Sequence, residues 1–178
     1  KVIYMVSPIE EKLVRLKKEA EEREAKHSAQ KGTMDIEGGR VEELSRKLLD
    51  LDEIQREVDG YDFQNLPTAA LLEIFLAGAI ANRASDIHFE PEVGNIKVRY
   101  RLDGQLRDVA RFSEEFYKLI LSRIKFIANL KLNIIQKPQD GRFTVGLSDK
   151  SVEIRVSIIP SEYGETVVMR VLDPAVID

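Results

Sequence analysis

In EIRVSIIPSEYGETVVMR, residues 153 to 170, two alternating apolar segments flank the turn-rich PSEYGE, and each carries one arginine at its middle, Arg155 and Arg170. A hairpin closed symmetrically about that turn pairs Ile159 with Thr166 and sets Arg155 opposite Arg170. Like charges directly across a strand pair repel and destabilise, so the placement needs a reason. Arginine's planar fork suits bidentate contacts to carboxylate or phosphate. Arg99, Arg101, Arg107, Arg111 and Arg142 also fall in or beside strand-like segments. Two arrangements fit these residues. One is an exposed sheet face laced by Glu153, Asp103, Asp108 and Glu165. The other is a phosphate clamp, in which two facing arginines repel when empty and are relieved by an anion carrying two or more charges.

Other chemistries find less support. Neither G-x-x-x-x-G-K-[ST] nor G-x-G-x-x-G occurs, so the chain has no phosphate-cradling loop of its own. Its two histidines, His27 and His88, lie far apart in sequence. Ser85, Asp86 and His88 contain the residue types of a hydrolytic triad, but neighbours on one strand alternate between faces. His88 and Glu90 share a face, as half a metal site or, on the simpler reading, as a polar pair on a partly covered sheet. No metal ligand set is assigned. With no cysteine, disulfides and thiolate metal sites are excluded together, which fits a reducing compartment.

At 178 residues and 43% hydrophobic content, the chain suffices for one core of domain size plus appendages. Its abrupt start suggests a piece of a longer protein. No apolar run approaches the roughly 20 residues that span a bilayer, and a soluble chain is expected. The net charge of −4 is uneven, because residues 84–172 carry 14 basic against 12 acidic side chains. That excess is too small to suggest a nucleic-acid partner, yet it permits a local anion site.

The elements that must position the arginines follow from periodicity. KVIYMVS opens as a strand, and SPIEE caps a helix over about 8–28 whose narrow apolar stripe suits a solvent-facing or bridging role. SAQKGTMDIEGGR, residues 28–40, reads as loop or linker. Val41, Leu44, Leu48 and Leu51 predict one amphipathic helix. LPTAALLEIFLAGAIANRA, apolar nearly all round, predicts the most deeply packed helix, starting near Pro67. From Ser85 the period becomes two, and Asp103-Gly104 signals a two-residue hairpin. Ile96, Val98, Tyr100 and Leu102 point to one face; Lys97, Arg99 and Arg101 point to the other. Ser113 caps a helix with Phe116, Leu119, Ile120, Ile124 and Ile127 on its apolar face. After a loop ending PQDG, strands are expected at about 142–148, 151–159 and 165–172. The expected fold is α+β: an antiparallel sheet with helices gathered on one face over about 66–173, preceded by a helical and linker segment over 1–65.

The series ASDIHFEP (84–91), VRYRLDGQL (98–106), SRIKFIANL (122–130), KPQDGRF (137–143) and EIRVSIIPSEYGETVVMRVLD (153–173) resembles the domain that precedes the motor domain in type II secretion and type IV pilus assembly ATPases. The elements stand in family order and at family spacing. KVIYMVSPIEEKLVRL is similar to the tail of the family's more amino-terminal regulatory domain. One segment departs: where the family has a stretch resembling LDIAERR before PQDGR, this chain has LKLNIIQK, residues 130–137.

The resemblance implies a PAS-like domain, joined by a short linker to a RecA-like domain that holds the Walker motifs and the Mg2+ ligands. It implies a hexameric cytoplasmic motor, peripheral to the inner membrane, that hydrolyses ATP to drive pilin or pseudopilin assembly on membrane platform proteins. ATP would lie between the two domains, and by motif position Arg155 and Arg170 would reach its terminal phosphates, acting in both binding and catalysis. The alternative expectation is a scaffold or adaptor that keeps the fold without catalysis.

Overall fold

The computed structural model describes Arg15, residues 35–62 and residues 67–176, with backbone alone at 35–37. The strand and helix expected over residues 1–28 lie outside the described residues, Arg15 apart.

A three-strand meander forms where the period-two pattern begins: β2 (Asp86–Glu92), β3 (Asn95–Leu102) and β4 (Gln105–Phe112), preceded in the chain by the short β1 (Asp35–Glu37). Asp103 and Gly104 both take positive φ, 48° and 78°, the conformation a tight two-residue hairpin turn requires. Three further strands follow: β5 (Gln139–Gly146), β6 (Ser151–Ser161) and β7 (Gly164–Leu172). The described helices are α1 (Gly39–Ser45), α2 (Leu51–Asp59), α3 (Thr68–Ala81) and α4 (Glu114–Ile127).

The strand order is β1-β5-β6-β7-β2-β3-β4, and only the β1–β5 pairing is parallel. The central step is β7 beside β2, which brings the last strand back against the first strand of the meander. On one face Ile87, Phe89, Val98, Tyr100, Phe143, Ile154, Val167 and Met169 are fully buried. The helices gather on that face, as an α+β fold requires. The Phe75 ring of α3 meets Phe89 edge-on at 5.3 Å, and Tyr117 of α4 stacks on Phe89 at 6.1 Å. Tyr100 Oη donates to the Phe75 carbonyl at 2.6 Å, which satisfies the one polar atom of a fully buried side chain. Helix α3 is apolar all round because it lies between two layers, the sheet below and α1 and α2 above.

Several boundaries differ from the sequence expectation. The single helix over Val41–Leu51 is two, because Asp50 starts α2 with a capping box: its carboxylate accepts from Glu53 N at 2.8 Å and the Glu53 side chain returns to Asp50 N at 3.3 Å. The apolar spacing survives the break because Leu48, between the helices, is also buried, its carbonyl held by Asn82 Nδ2 at 2.9 Å. Within the expected linker 28–40, residues 35–37 form β1, since an edge strand of β5 was open to pairing. Strand β5 begins at Gln139, inside the expected PQDG loop. A Cβ on Gly141 would sit 2.4 Å from the Ala128 carbonyl, so the glycine serves close approach to the end of α4 rather than a turn.

Candidate anion-binding site

The register across β6 and β7 pairs Ile159 with Thr166 and Arg155 with Arg170. Both arginines flank buried core residues, so both project from the face opposite the helices, with side chains 66% and 64% exposed. The same level continues across the sheet: Arg142 of β5 lies opposite Arg155, Asp86 of β2 opposite Arg170, and Arg101 of β3 opposite Asp86.

Each member of the pair is held at one nitrogen. Arg170 Nε donates to Asp86 Oδ1 at 3.0 Å, and Arg155 Nε donates to Glu153 Oε1 at 2.9 Å. The outer ends of both guanidinium groups have no hydrogen bond among the described residues. Two forks anchored at Nε and open at Nη are suited to an oxyanion bound between them. Their mutual repulsion is modest in water, about 1 kcal/mol for unit charges 4 Å apart, and an intervening anion reverses its sign.

Asp86 is the residue that sequence reasoning missed. Its carboxylate is 5% exposed, accepts from Ser85 Oγ at 2.8 Å and Arg170 Nε at 3.0 Å, and lies 3.3 Å from Arg101 Nε. Burial works against its ionisation, but the hydrogen bonds from Ser85 and Arg170 outweigh it, and the pKa falls below the ordinary 3.8. The signal was present as ASDIH, but only the β2–β7 pairing places Asp86 across from Arg170.

The remaining arginines divide by environment. Arg99 pairs with Glu90 at 2.5 Å, Arg111 with Glu92 at 2.7 Å, and Arg107 donates to Gln105 at 3.2 Å. Part of the face is therefore laced by ion pairs as the first arrangement expects, Glu153 and Asp108 among the partners. Glu165 is not: it is 8% exposed and paired with the buried Lys125. The Ser85-Asp86-His88 triad does not assemble, because Ser85 donates to Asp86 and His88 Nδ1 turns to Glu90 at 3.5 Å. His88 is depressed below its usual 6.5 chiefly by burial, so it is neutral at pH 7. Among the described residues no group of three or more His, Asp or Glu could hold a metal, and no helix is long and apolar enough to cross a membrane. Beside Arg170, a cavity of about 220 Å³ opens between the end of α3 and β7, lined by Ala79, Ile80, Arg83 and Val176 among others.

A sheet with one helix-covered face and one face bearing an aligned arginine row defines the class, an α+β domain. Residues 63–178 match the profile of the family described as Type II/IV secretion system protein, and the chain belongs to that family. It is 38% identical over 130 residues to Type II secretion system protein E of Dickeya dadantii, covering 73% of this chain and 25% of that protein. Type II secretion system ATPase E of Vibrio cholerae is 41% identical over 107 residues, 60% of this chain and 21% of the relative. Type IV pilus assembly ATPase PilB of Myxococcus xanthus is 36% identical over 137 residues, 76% and 23% respectively. The chain thus spans about a quarter of the length of these curated relatives.

Proposed function

We propose that this chain is the amino-terminal part of a cytoplasmic secretion or pilus-assembly ATPase that works as a hexamer, and that its sheet covers a nucleotide held by a RecA-like domain. Arg155 and Arg170 supply positive charge to the terminal phosphates of ATP, where charge builds on the transferring phosphoryl group. The observation that carries this reading is the cross-strand pair itself: two facing arginines, each anchored by its Nε to a carboxylate, on a sheet face that no helix among the described residues covers. The names of the relatives, secretion and pilus-assembly ATPases among them, point to the same activity.

Mg2+ accompanies ATP in such a motor, and its ligands fall to the RecA-like domain together with the Walker motifs. Within this chain, Asp86 and Glu153 hold the two arginines in place, and the polar face docks against the motor domain. Neighbouring subunits and inner-membrane platform proteins are the remaining partners, to which the domain relays the cycle of hydrolysis that drives pilin or pseudopilin assembly.

The test is Arg155→Ala and Arg170→Ala in the intact ATPase, with turnover and melting temperature measured side by side. Loss of an arginine that contacts the transferring phosphoryl group lowers turnover on the order of 10³-fold or more, while the fold is disturbed little. Near-normal turnover in both variants would return the pair to a surface ladder of ion pairs, each worth roughly 0–1 kcal/mol, and would favour the scaffold reading.

A further inference from the structure

The arginine row has a third member. We propose that Arg142 extends the site to three arginines and makes it selective for chains of three phosphates over two; this rests on the reading of Arg155 and Arg170 as phosphate ligands.

Arg142 sits directly opposite Arg155 in the β5–β6 register, as Arg155 sits opposite Arg170. Its neighbours show which way it faces. Phe143 is fully buried in the core, and a side chain on Gly141 would run into Ala128 at the end of α4. Arg142 therefore projects from the same face as the pair. Adjacent strands are about 4.8 Å apart, so three arginines at one level span roughly 10 Å. That is the reach of an extended polyphosphate, not of a single phosphate group.

The distribution of countercharge separates Arg142 from its neighbours. Arg170 has Asp86, and Arg155 has Glu153. Arg142 is exposed and has no carboxylate partner and no hydrogen bond among the described residues. Elsewhere on the face Lys97, Arg99, Arg101 and Arg111 all have acidic partners. Among the described residues, an arginine without an ion pair at one end of a row, on a face where Lys97, Arg99 and Arg101 are paired, fits the added charge of the longer anion. Triphosphate carries more negative charge than diphosphate, and a contact made only to the extra phosphate discriminates by its full worth.

The experiment uses the 178-residue chain and two inorganic probes, tripolyphosphate and pyrophosphate, with affinities measured by calorimetry at low salt, where exposed charges are least screened. The chain should bind tripolyphosphate more tightly. Arg142→Ala should weaken tripolyphosphate about three- to tenfold, the scale of one exposed charged contact, and leave pyrophosphate within about twofold, so that selectivity is lost. Arg155→Ala and Arg170→Ala should weaken both probes. Lys47→Ala, removing an exposed charge in the turn after α1, controls for net charge and should change neither. If Arg142→Ala weakens both probes equally, or neither, while the other two arginines matter, the third-arginine assignment fails and the pair stands. If no arginine variant alters either affinity, the phosphate reading of the whole row fails with it. Circular dichroism of each variant keeps loss of fold distinct from loss of site.

Discussion

A guanidinium on an open sheet face is useful only if something holds it, and for Arg170 that is Asp86. Asp86→Asn should cost about 1–3 kcal/mol at neutral pH, the penalty for weakening a buried, charge-assisted hydrogen bond, and should lower turnover of the intact ATPase by misplacing Arg170. Arg170→Lys should not restore activity, because an ammonium cannot bond Asp86 and present a fork at once. The acid limb of stability offers a separate measurement. Asp86 and His88 both titrate below their ordinary values in the fold, so on acidification the unfolded chain takes up protons first. Their stabilisation is complete above those values. It fades from about pH 6.5 downward as His88 charges against its burial, and again below about pH 3.8 as Asp86 is neutralised. Denaturant midpoints across pH should therefore show His88→Gln flattening chiefly the upper step and Asp86→Asn chiefly the lower one, with a smaller effect of each on the other step because the two charges interact.

Helix α4 is fastened to the sheet by an ion pair that no periodicity foretells. Lys125, 2% exposed, places Nζ within 2.8 Å of both Glu165 carboxylate oxygens and donates to the Ile134 carbonyl at 3.0 Å. Tyr117 Oη adds a bond to the Glu165 carbonyl at 2.6 Å. One buried ammonium thus ties α4, the start of β7 and the LKLNIIQK loop together. The loop is further pinned by Gln139, whose side chain bonds Lys131 N and O and the Ile134 carbonyl at 2.9–3.0 Å. Lys125→Met strands a buried carboxylate and should cost about 3–5 kcal/mol by denaturant unfolding, whereas adding Glu165→Leu should recover most of that loss. Were the double variant as unstable as the single one, the ion pair would not be the source of the effect. The contact of α2 with α3 is equally local: a Cβ on Gly78 would lie 2.5 Å from Ile54 Cδ1 and 3.1 Å from Tyr100 Oη. Both neighbours are fully buried and have nowhere to go. Gly78→Ala should therefore destabilise by about 1–3 kcal/mol, and Ile54→Val beside it should relieve part of that.

Across the whole molecule, α1 and α2 share the core of the sheet domain: Val41, Leu44, Leu48, Ile54, Val58 and Tyr61 are buried in the same cluster as Phe75 and Tyr100. Gly38 N bonds the Gly146 carbonyl at 3.0 Å, and Glu42 accepts from both N and Oγ of Ser148, fixing the entry to α1 against the β5–β6 turn. We propose that the compact unit starts near Asp35, before the expected boundary at residue 66. Limited proteolysis should then leave a resistant fragment whose first residue precedes Val41, and a chain beginning at Leu66 should be markedly less stable because it uncovers α3. A resistant fragment beginning between Tyr61 and Pro67 would restore the later boundary. The purified 178-residue chain, lacking any G-x-x-x-x-G-K-[ST], should show no ATP turnover that survives repurification.

Sequence alone determined what depends on neighbours in the chain. The period of two across β2–β4 and the Asp103-Gly104 turn were legible because strand alternation and turn φ are local properties. So was the facing of Arg155 and Arg170, since a hairpin's register follows from its own loop. The family could be read from short motifs in order and spacing. Tertiary structure decided what depends on elements far apart in sequence. Asp86 meets Arg170 across 84 positions only because β7 returns to pair with β2, and Arg142 joins the row only through the β5–β6 register. Alternation already put Glu165 on the apolar face with Val167 and Met169; how α4 crosses the sheet decided that Lys125 meets it there. Periodicity reports which face a residue takes, not which residue waits there; that is set by strand order, which non-local pairing alone selects.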